Sequence, residues 1–377
     1  FILFTIYDLL IFMKRKTKNL LVAASGTGGH IFPALTIVDN LDRNWQINWL
    51  GIQNRCEINL VPQEYNLFTL NIVSPQGNNF SLMIKYLQVF IATLPVIRLM
   101  ISRKIKLVFA TGGYISVPSI IAARFLNIPI IIHESNVVPG LATKYFGRYC
   151  NFVLTGFKET ASYLKRCNIV FTGTPLRNQF YIDHDIPSWV PVGNQPLIII
   201  MGGSQGAQVI NDVIYNLLDF LNDKSFRIVH ILGDTLDPKF NNKKNKNYIP
   251  IAFTNEIAAL MQNCDLVISR AGSGAINEII KTKSPSILIP YPNAKNNHQE
   301  KNALILSSIG CSIIIQQNKN LEINLKENLQ RIFKMESNNS KNQYKILEIM
   351  KKNISEFNFK DPRQEIKKII NYFTKNL

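Results

Sequence analysis

Leu20-Leu21-Val22-Ala23-Ala24 runs directly into Ser25-Gly26-Thr27-Gly28-Gly29-His30, and an apolar, helix-like segment follows. An unbroken apolar run lacks the alternation of a half-exposed strand, so it reads as a strand covered on both faces. The glycines then mark a tight strand-to-helix turn whose backbone can approach a ligand closely. The cycle recurs: residues 107–110 run into Gly112-Gly113-Tyr114, Leu197–Met201 into Gly202-Gly203-Ser204-Gln205-Gly206, and Leu266–Ser269 into Ala271-Gly272-Ser273-Gly274. Residues 128–132, 227–232 and 287–289 are similar runs without the glycines. Short buried strands alternating with helices indicate an α/β, doubly wound architecture.

The Gly-loop cycles lie on both sides of residues 183–196, which hold Pro187, Pro191, Gly193 and Pro196 and show no periodicity. The expected organisation is therefore a Rossmann-like domain over 13–182, a linker over 183–196 and a second Rossmann-like domain over 197–359, facing a central cleft. A helix over 360–377, with Ile366, Ile369, Ile370 and Phe373 on one face, is expected to pack back on the first domain.

With 377 residues and 46% hydrophobic composition the chain can build cores of this size, which excludes a disordered tail or a disulfide-stapled miniprotein. The formal net charge of +17 calls for an anionic partner: nucleic acid, lipid headgroups or a phosphorylated substrate. No nucleic-acid partner is expected, because no recognition motif or aromatic–basic stacking patch is present. Cys56, Cys150, Cys167, Cys264 and Cys311 form no C-x-x-C pair, which disfavours zinc knuckles and disulfide frameworks and fits a reducing compartment. Residues 1–12 are apolar and precede Met13-Lys14-Arg15-Lys16, too short for the roughly 20 residues of a span. The basic cluster follows the apolar run, the reverse of a signal peptide, so Met13 is the expected natural start, the alternative being that residues 1–12 form a short membrane-surface anchor.

Four Gly-rich turns, each after a strand, point to a diphosphate ligand held by backbone N–H groups and helix dipoles. The first turn lacks the third glycine of G-x-G-x-x-G, since Ile31 stands there, which disfavours a nicotinamide enzyme. His30, at the start of a helix, is a candidate general base. His133-Glu134-Ser135-Asn136 follows a buried strand, where such folds bind ligands, and Glu134 is either a second candidate base or a structural carboxylate. Glu278, on the helix after Arg270-Ala271-Gly272-Ser273-Gly274, suits the two hydroxyls of a ribose, and His298-Gln299 suit sugar hydroxyls. Gly202–Gly206 also matches the G-x-S-x-G nucleophile elbow, with Asp265 and His298 following in hydrolase order; a serine hydrolase using Ser204 is the alternative reading. Asp183-His184-Asp185 resembles a metal-binding D-x-D but lies beside the linker, so no metal is expected. Phe80, Met83, Tyr86, Leu87, Phe90 and Leu94 recur at helical spacing, which reads mostly as a buried face. Residues 80–86, with Phe80, Met83, Lys85 and Tyr86, also read as an apolar loop tip rimmed by lysine, suited to an anionic membrane.

In combination, Gly26–Pro33 (GTGGHIFP), GGY at 112–114, HESN at 133–136 with Pro139-Gly140, GTPLR at 173–177, GGSQGA at 202–207, RAGSGAINE at 270–278 and HQEKNA at 298–303 resemble the MurG family of peptidoglycan glycosyltransferases. The resemblance runs from about Leu20 to the carboxyl end. It implies a GT-B fold, no metal or other cofactor, and inverting transfer of GlcNAc from UDP-GlcNAc to the C4 hydroxyl of MurNAc in lipid I, giving lipid II at the cytoplasmic face of the bacterial inner membrane. It further implies that Thr27, Gly28 and Gly29 contact a donor or acceptor diphosphate and that Asn136 and Arg177 line the cleft. Ser204, Gln205 and Gly206 would hold the UDP phosphates, Thr254 would read the uracil, and Ser273, Gly274 and Glu278 would lie at the nucleotide. His298 and Gln299 would reach the GlcNAc hydroxyls, with His30 or Glu134 as base. Two motifs depart from the family pattern: Ser135 stands where glutamine is commoner, and Ser273-Gly274 replaces an alanine-rich helix start.

Overall fold

The computed structural model describes residues 18–374 apart from positions 27, 56, 73–86, 204–205, 225, 234–237, 244, 334–343 and 358–359. The expectations for Thr27, Ser204, Gln205, Phe80, Met83, Lys85 and Tyr86 lie outside these residues. The chain divides into two compact units: the first takes the described residues up to Pro175 and from Lys360 onward, the second Leu176–Phe359.

Unit 1 is built on a parallel sheet of β1 (Lys18–Ala23), β2 (Trp45–Ile52), β3 (Asn66–Leu70), β4 (Ile105–Ala110), β5 (Ile130–Glu134), β6 (Phe152–Thr155) and β7 (Ile169–Phe171), in the order β3-β2-β1-β4-β5-β6-β7. Helices α1 (Gly28–Asp39), α2 (Thr93–Ser102), α3 (Ser116–Phe125) and α4 (Leu141–Phe146) connect and cover it. The apolar run of β1 is divided between two cores as a strand's period of two requires. Leu21 and Ala23 pack with Ala92, Val96 and Met100 on one face, and Leu20 and Val22 with Ile31, Ala34 and Ile37 on the other.

Unit 2 repeats the plan with β8 (Leu197–Met201), β9 (Arg227–Ile231), β10 (Tyr248–Ile251), β11 (Leu266–Ser269), β12 (Ser286–Leu288) and β13 (Ser312–Ile314), again all parallel, in the order β10-β9-β8-β11-β12-β13. Its helices are α5 (Gln208–Asp223), α6 (Ile257–Asn263), α7 (Ser273–Thr282), α8 (His298–Ser308), α9 (Leu321–Phe333) and α10 (Lys345–Ser355). Ile198 and Ile200 of β8 share a core with Ile210, Ile214 and Leu218 of α5. The last helix, α11 (Pro362–Thr374), returns to unit 1, where Ile366 and Ile370 are fully buried against Leu20, Val22 and Ile31, and Phe373 meets Phe152 edge to face.

Residues 183–196 do not hang free as a linker. They are tied to unit 2: Trp189 Nε1 donates to Glu256, Gln262 accepts from the His184 backbone N–H, and Arg227 donates to the carbonyls of Pro191 and Gln195. The apolar segment around α2 also departs from its sequence reading. Leu87, Phe90 and Leu94 are 50–61% exposed, while Val89, Ala92, Val96 and Met100 are buried. A segment apolar all round offers two stripes of the same period, and packing of α2 on α3 decides which is covered.

In each sheet the strand order reverses beside the first strand, between β1 and β4 in unit 1 and between β8 and β11 in unit 2. Doubly wound sheets bind ligands outside the carboxyl ends of the strands at such points. The turns that leave these four strands are the four Gly-rich motifs.

Candidate active site

The turn after β1 is shaped from behind by β2. Trp49 Nε1 donates to the Ala24 carbonyl at 2.9 Å, and the buried Glu57 carboxylate accepts from Ser25 Oγ at 2.6 Å. Gly26 takes φ +104°, a conformation that disfavours any side chain. α1 starts at Gly28 with no acidic residue in its first turn, so its positive end is unopposed by its own side chains.

His30 lies one residue into α1's second pair of amides and is half-buried. Its Nδ1 sits 2.6 Å from the carbonyl oxygen of Thr111, in the turn after β4. A carbonyl only accepts, so Nδ1 carries the proton and the neutral ring keeps its lone pair on Nε2. The two turns at the unit 1 switch point therefore combine to set the tautomer of His30.

The two residues after β5's apolar run are both occupied. Buried His133 donates from Nε2 to the Gly173 carbonyl at 3.0 Å, and desolvation pushes its pKa down, which keeps it neutral. Glu134 accepts from the backbone N–H groups of Asn136 at 3.1 Å and Gly140 at 2.9 Å, and from the Asn136 amide at 3.3 Å. Its two oxygens thus staple the loop that carries Asn136, a half-buried side chain beside the same switch point.

In unit 2, the turn after β8 needs its glycines. A Cβ on Gly202 would come within 2.2 Å of the Ala207 nitrogen, and one on Gly206 within 2.4 Å of the Leu232 carbonyl oxygen. On the other side of the switch point, α7 begins at Ser273. A Cβ on Gly272 or Gly274 would meet nothing within 4 Å, so the backbone there is open to a ligand. Buried Arg270 is committed to structure, donating to the carbonyl of Ile289 at 3.1 Å.

Glu278, further along α7, accepts from Arg177 Nη2 at 3.1 Å. Burial raises its pKa and the guanidinium works against that rise. Thr254, after β10, accepts from the Glu256 N–H at 3.0 Å and so helps to start α6. At the head of α8, His298 donates from Nδ1 to the Lys295 carbonyl, leaving Nε2 as its acceptor, and Gln299 Oε1 accepts from the Tyr291 N–H. Arg177, expected in the first domain over 13–182, belongs instead to unit 2, which begins at Leu176; there it meets Glu278 of α7, while Gly206, Ser273 and Gly274 lie in the turns that flank that unit's switch point.

The hydrolase alternative fails on position. Asp265 precedes β11, and its Oδ2 accepts from the N–H of Leu197, the first residue of β8. The turn that opens with Gly202 and Gly203 leaves the opposite end of β8, one five-residue strand or roughly 15 Å away. Asp265 instead pairs with Lys351 of α10. The Asp183-His184-Asp185 segment is held against the end of α6, and among the described residues no cluster of three or more His, Cys, Asp or Glu side chains is placed to hold a metal ion.

Two elements escaped the sequence reading. One is Glu57, whose signal was Gly51: a lone glycine inside a strand run marks a close approach. The other is a buried chain in unit 2. Tyr248 donates to His230 Nδ1 at 3.0 Å, His230 Nε2 to Asn211 Oδ1 at 3.1 Å, and Asn211 Nδ2 to the Leu232 carbonyl at 3.0 Å. That carbonyl is the one Gly206 packs against.

Comparison with known proteins agrees with the two-domain architecture. The glycosyltransferase family 28 N-terminal domain matches residues 20–155 and its C-terminal domain residues 197–357. A UDP-N-acetylglucosamine--N-acetylmuramyl-(pentapeptide) pyrophosphoryl-undecaprenol N-acetylglucosamine transferase of Prochlorococcus marinus strain MIT 9312 is 58% identical over 96% of this chain and 99% of its own length. Its counterpart in strain NATL2A is 42% identical over 93% and 98%. Among solved structures, MurG of Acinetobacter baumannii aligns with a TM-score of 0.75 at 24% identity, covering 94% of this chain and 99% of that one. The calicheamicin glycosyltransferase CalG4 aligns at 0.68 and 12% identity, covering 96% and 99%; both likenesses concern the fold.

Proposed function

The chain belongs to the MurG family within glycosyltransferase family 28, and from that premise we propose that it transfers GlcNAc from UDP-GlcNAc to the C4 hydroxyl of the MurNAc in lipid I, forming lipid II. The observation that carries the chemistry is the His30–Thr111 hydrogen bond, which leaves a basic nitrogen beside the Gly-rich turns of unit 1.

His30 Nε2 takes the proton of the C4 hydroxyl as its oxygen forms the new bond to the anomeric carbon. The bond from that carbon to the UDP oxygen breaks in line, so the α configuration becomes β. Glu134 does not serve as the base in this scheme: its oxygens hold the loop of Asn136. The turn at Thr27, Gly28 and Gly29 takes the acceptor diphosphate. In unit 2, Ser204, Gln205 and Gly206 with Ser273 and Gly274 take the UDP phosphates, and Arg177 adds a positive charge for the leaving diphosphate. Thr254 reads the uracil, Glu278 the ribose, and His298 and Gln299 the sugar hydroxyls.

The enzyme works at a membrane surface as a peripheral protein. No helix among the described residues is long and apolar enough to cross a membrane. Support for peripheral contact comes from the exposed stripe of Leu87, Phe90, Ile91 and Leu94, with Arg103 and Lys104 exposed just past the end of α2 and Lys106 exposed on β4. The location at the cytoplasmic face of the inner membrane belongs to the same proposal, since lipid I is anchored there.

The test is UDP release from UDP-GlcNAc in the presence of a soluble lipid I analogue, with UDP-GalNAc as the control donor. Acceptor-dependent release with the GlcNAc donor is expected. Its absence overturns the reading.

A further inference from the structure

Glu57 is fully buried, in a single helical turn (Glu57–Leu60) after β2. Among the described residues no cation pairs with it. Its carboxylate instead gathers three donors: Oε1 accepts from Ser25 Oγ and from the Ile52 N–H, each at 2.6 Å, and Oε2 accepts from the Gly26 N–H at a long 3.5 Å. Two of the three donors belong to the turn between β1 and α1. A carboxylate is the one side chain that accepts on both oxygens and donates on neither.

The chain makes room for this group at a cost in strand stability. A Cβ on Gly51 would stand 2.7 Å from Glu57 Cγ and 2.9 Å from Oε1, so β2 gives up a side chain where the carboxylate passes. Trp49, two residues earlier, holds the same turn through the Ala24 carbonyl. The end of β2 thus clamps the turn at Ala24, Ser25 and Gly26, immediately before the amides at the head of α1.

We propose that Glu57 is a positioning residue for the acceptor: it holds the Ser25–Gly26 backbone in the shape that presents the α1 amides to a diphosphate. This rests on the reading that unit 1 binds the acceptor's diphosphate. Glu57 touches no reacting atom, so its loss should act on acceptor binding and leave the donor untouched. Replacing it by glutamine keeps an oxygen for Ser25 and Ile52 and turns a second donor toward Gly26. Gly51→Ala displaces the carboxylate without altering it.

The experiment measures steady-state kinetics of wild type, Glu57→Gln and Gly51→Ala with a soluble lipid I analogue, together with hydrogen exchange of the peptide spanning residues 24–30. The expected result is an acceptor KM raised about five- to tenfold in both variants, with donor KM unchanged and kcat at saturating acceptor within about twofold. Exchange in the 24–30 peptide should quicken while that of β8 and α5 stays the same. A fall in kcat alone, with both KM values and the 24–30 exchange unchanged, overturns the inference. Absence of acceptor-dependent turnover in wild type overturns the enzymatic reading instead, and the exchange comparison still decides whether Glu57 holds the turn.

Discussion

Arg177 and Glu278 stand 101 residues apart in sequence and meet through a 3.1 Å charge-assisted hydrogen bond inside unit 2. The pair joins a cation assigned to the leaving diphosphate to a carboxylate assigned to the ribose, so each residue's charge is conditioned by the other before a nucleotide arrives.

The pairing makes a pH-dependent prediction. Burial raises the Glu278 pKa above its ordinary 4.5 and Arg177 restrains the rise. As pH climbs from 4.5 to the raised value, the unfolded chain sheds its proton first, so stability falls across that window. Arg177→Ala widens the window and leaves a buried carboxylate without its partner. The variant should lose about 1–3 kcal/mol at pH 7 and much less at pH 4. Thermal unfolding at the two pH values checks this; equal losses at both would refute it.

His30→Ala should lower turnover at saturating substrates by about a hundred- to ten-thousandfold, the usual worth of a general base. UDP-GlcNAc binding, measured by calorimetry, should be unchanged, because the residues proposed to hold the donor lie in unit 2. Near-wild-type turnover would return the base assignment to Glu134.

The buried Tyr248–His230–Asn211 chain predicts acid sensitivity. Burial drives the His230 pKa down to about 3, so below its unfolded value near 6.5 the unfolded state binds the extra proton and native stability declines with pH. Between pH 7.5 and pH 5 this histidine contributes a loss of about 2 kcal/mol. His230→Asn should be less stable at pH 7.5 yet show a flatter stability profile, read by urea denaturation at both pH values. An unchanged slope would show that His230 is not the sensor.

The exposed stripe before and within α2 predicts the membrane contact. Leu87→Ser, Phe90→Ser and Leu94→Ser together should cut binding to vesicles of anionic phospholipid by about a hundredfold, at roughly 1 kcal/mol or more for each side chain withdrawn from lipid. Turnover with a soluble acceptor should stay near wild type. Undiminished vesicle flotation would place the contact elsewhere.

The strands and their turns were legible because a strand covered on both faces must be apolar throughout and must end in a turn. Leu20–Leu21–Val22 and Leu197–Met201 announce themselves in this way. Asp265 misled as the acid of a hydrolase order, because order along the chain ignores that it precedes its strand and so stands at the end away from the Gly-rich turns. The Arg177–Glu278 pair was not legible: each was named as a site residue, but nothing in a separation of 101 residues shows that the two meet each other. Nor was the choice between the stripe of Leu87, Phe90 and Leu94 and that of Val89, Ala92, Val96 and Met100. Both have the helical period, and only the neighbouring α3 distinguishes them. Glu57 lay hidden because two of its three donors are backbone N–H groups, which leave no mark on residue identity, and its one trace in the sequence is the glycine at position 51.

The burial of Ile366 and Ile370 of α11 against Leu20, Val22 and Ile31 sets an order of events during synthesis. Unit 2 is one continuous stretch and has its whole sequence once residue 359 is made. Unit 1, although its first strand is made early, lacks a wall of its core until the ribosome reaches α11. At translation speeds of about 5–20 residues per second, residues 176–374 keep that core open to water for some ten to forty seconds. The part of the protein translated first is thus the last to be finished, and a chaperone, or a stop codon that falls within α11, would act on it rather than on the half encoded later.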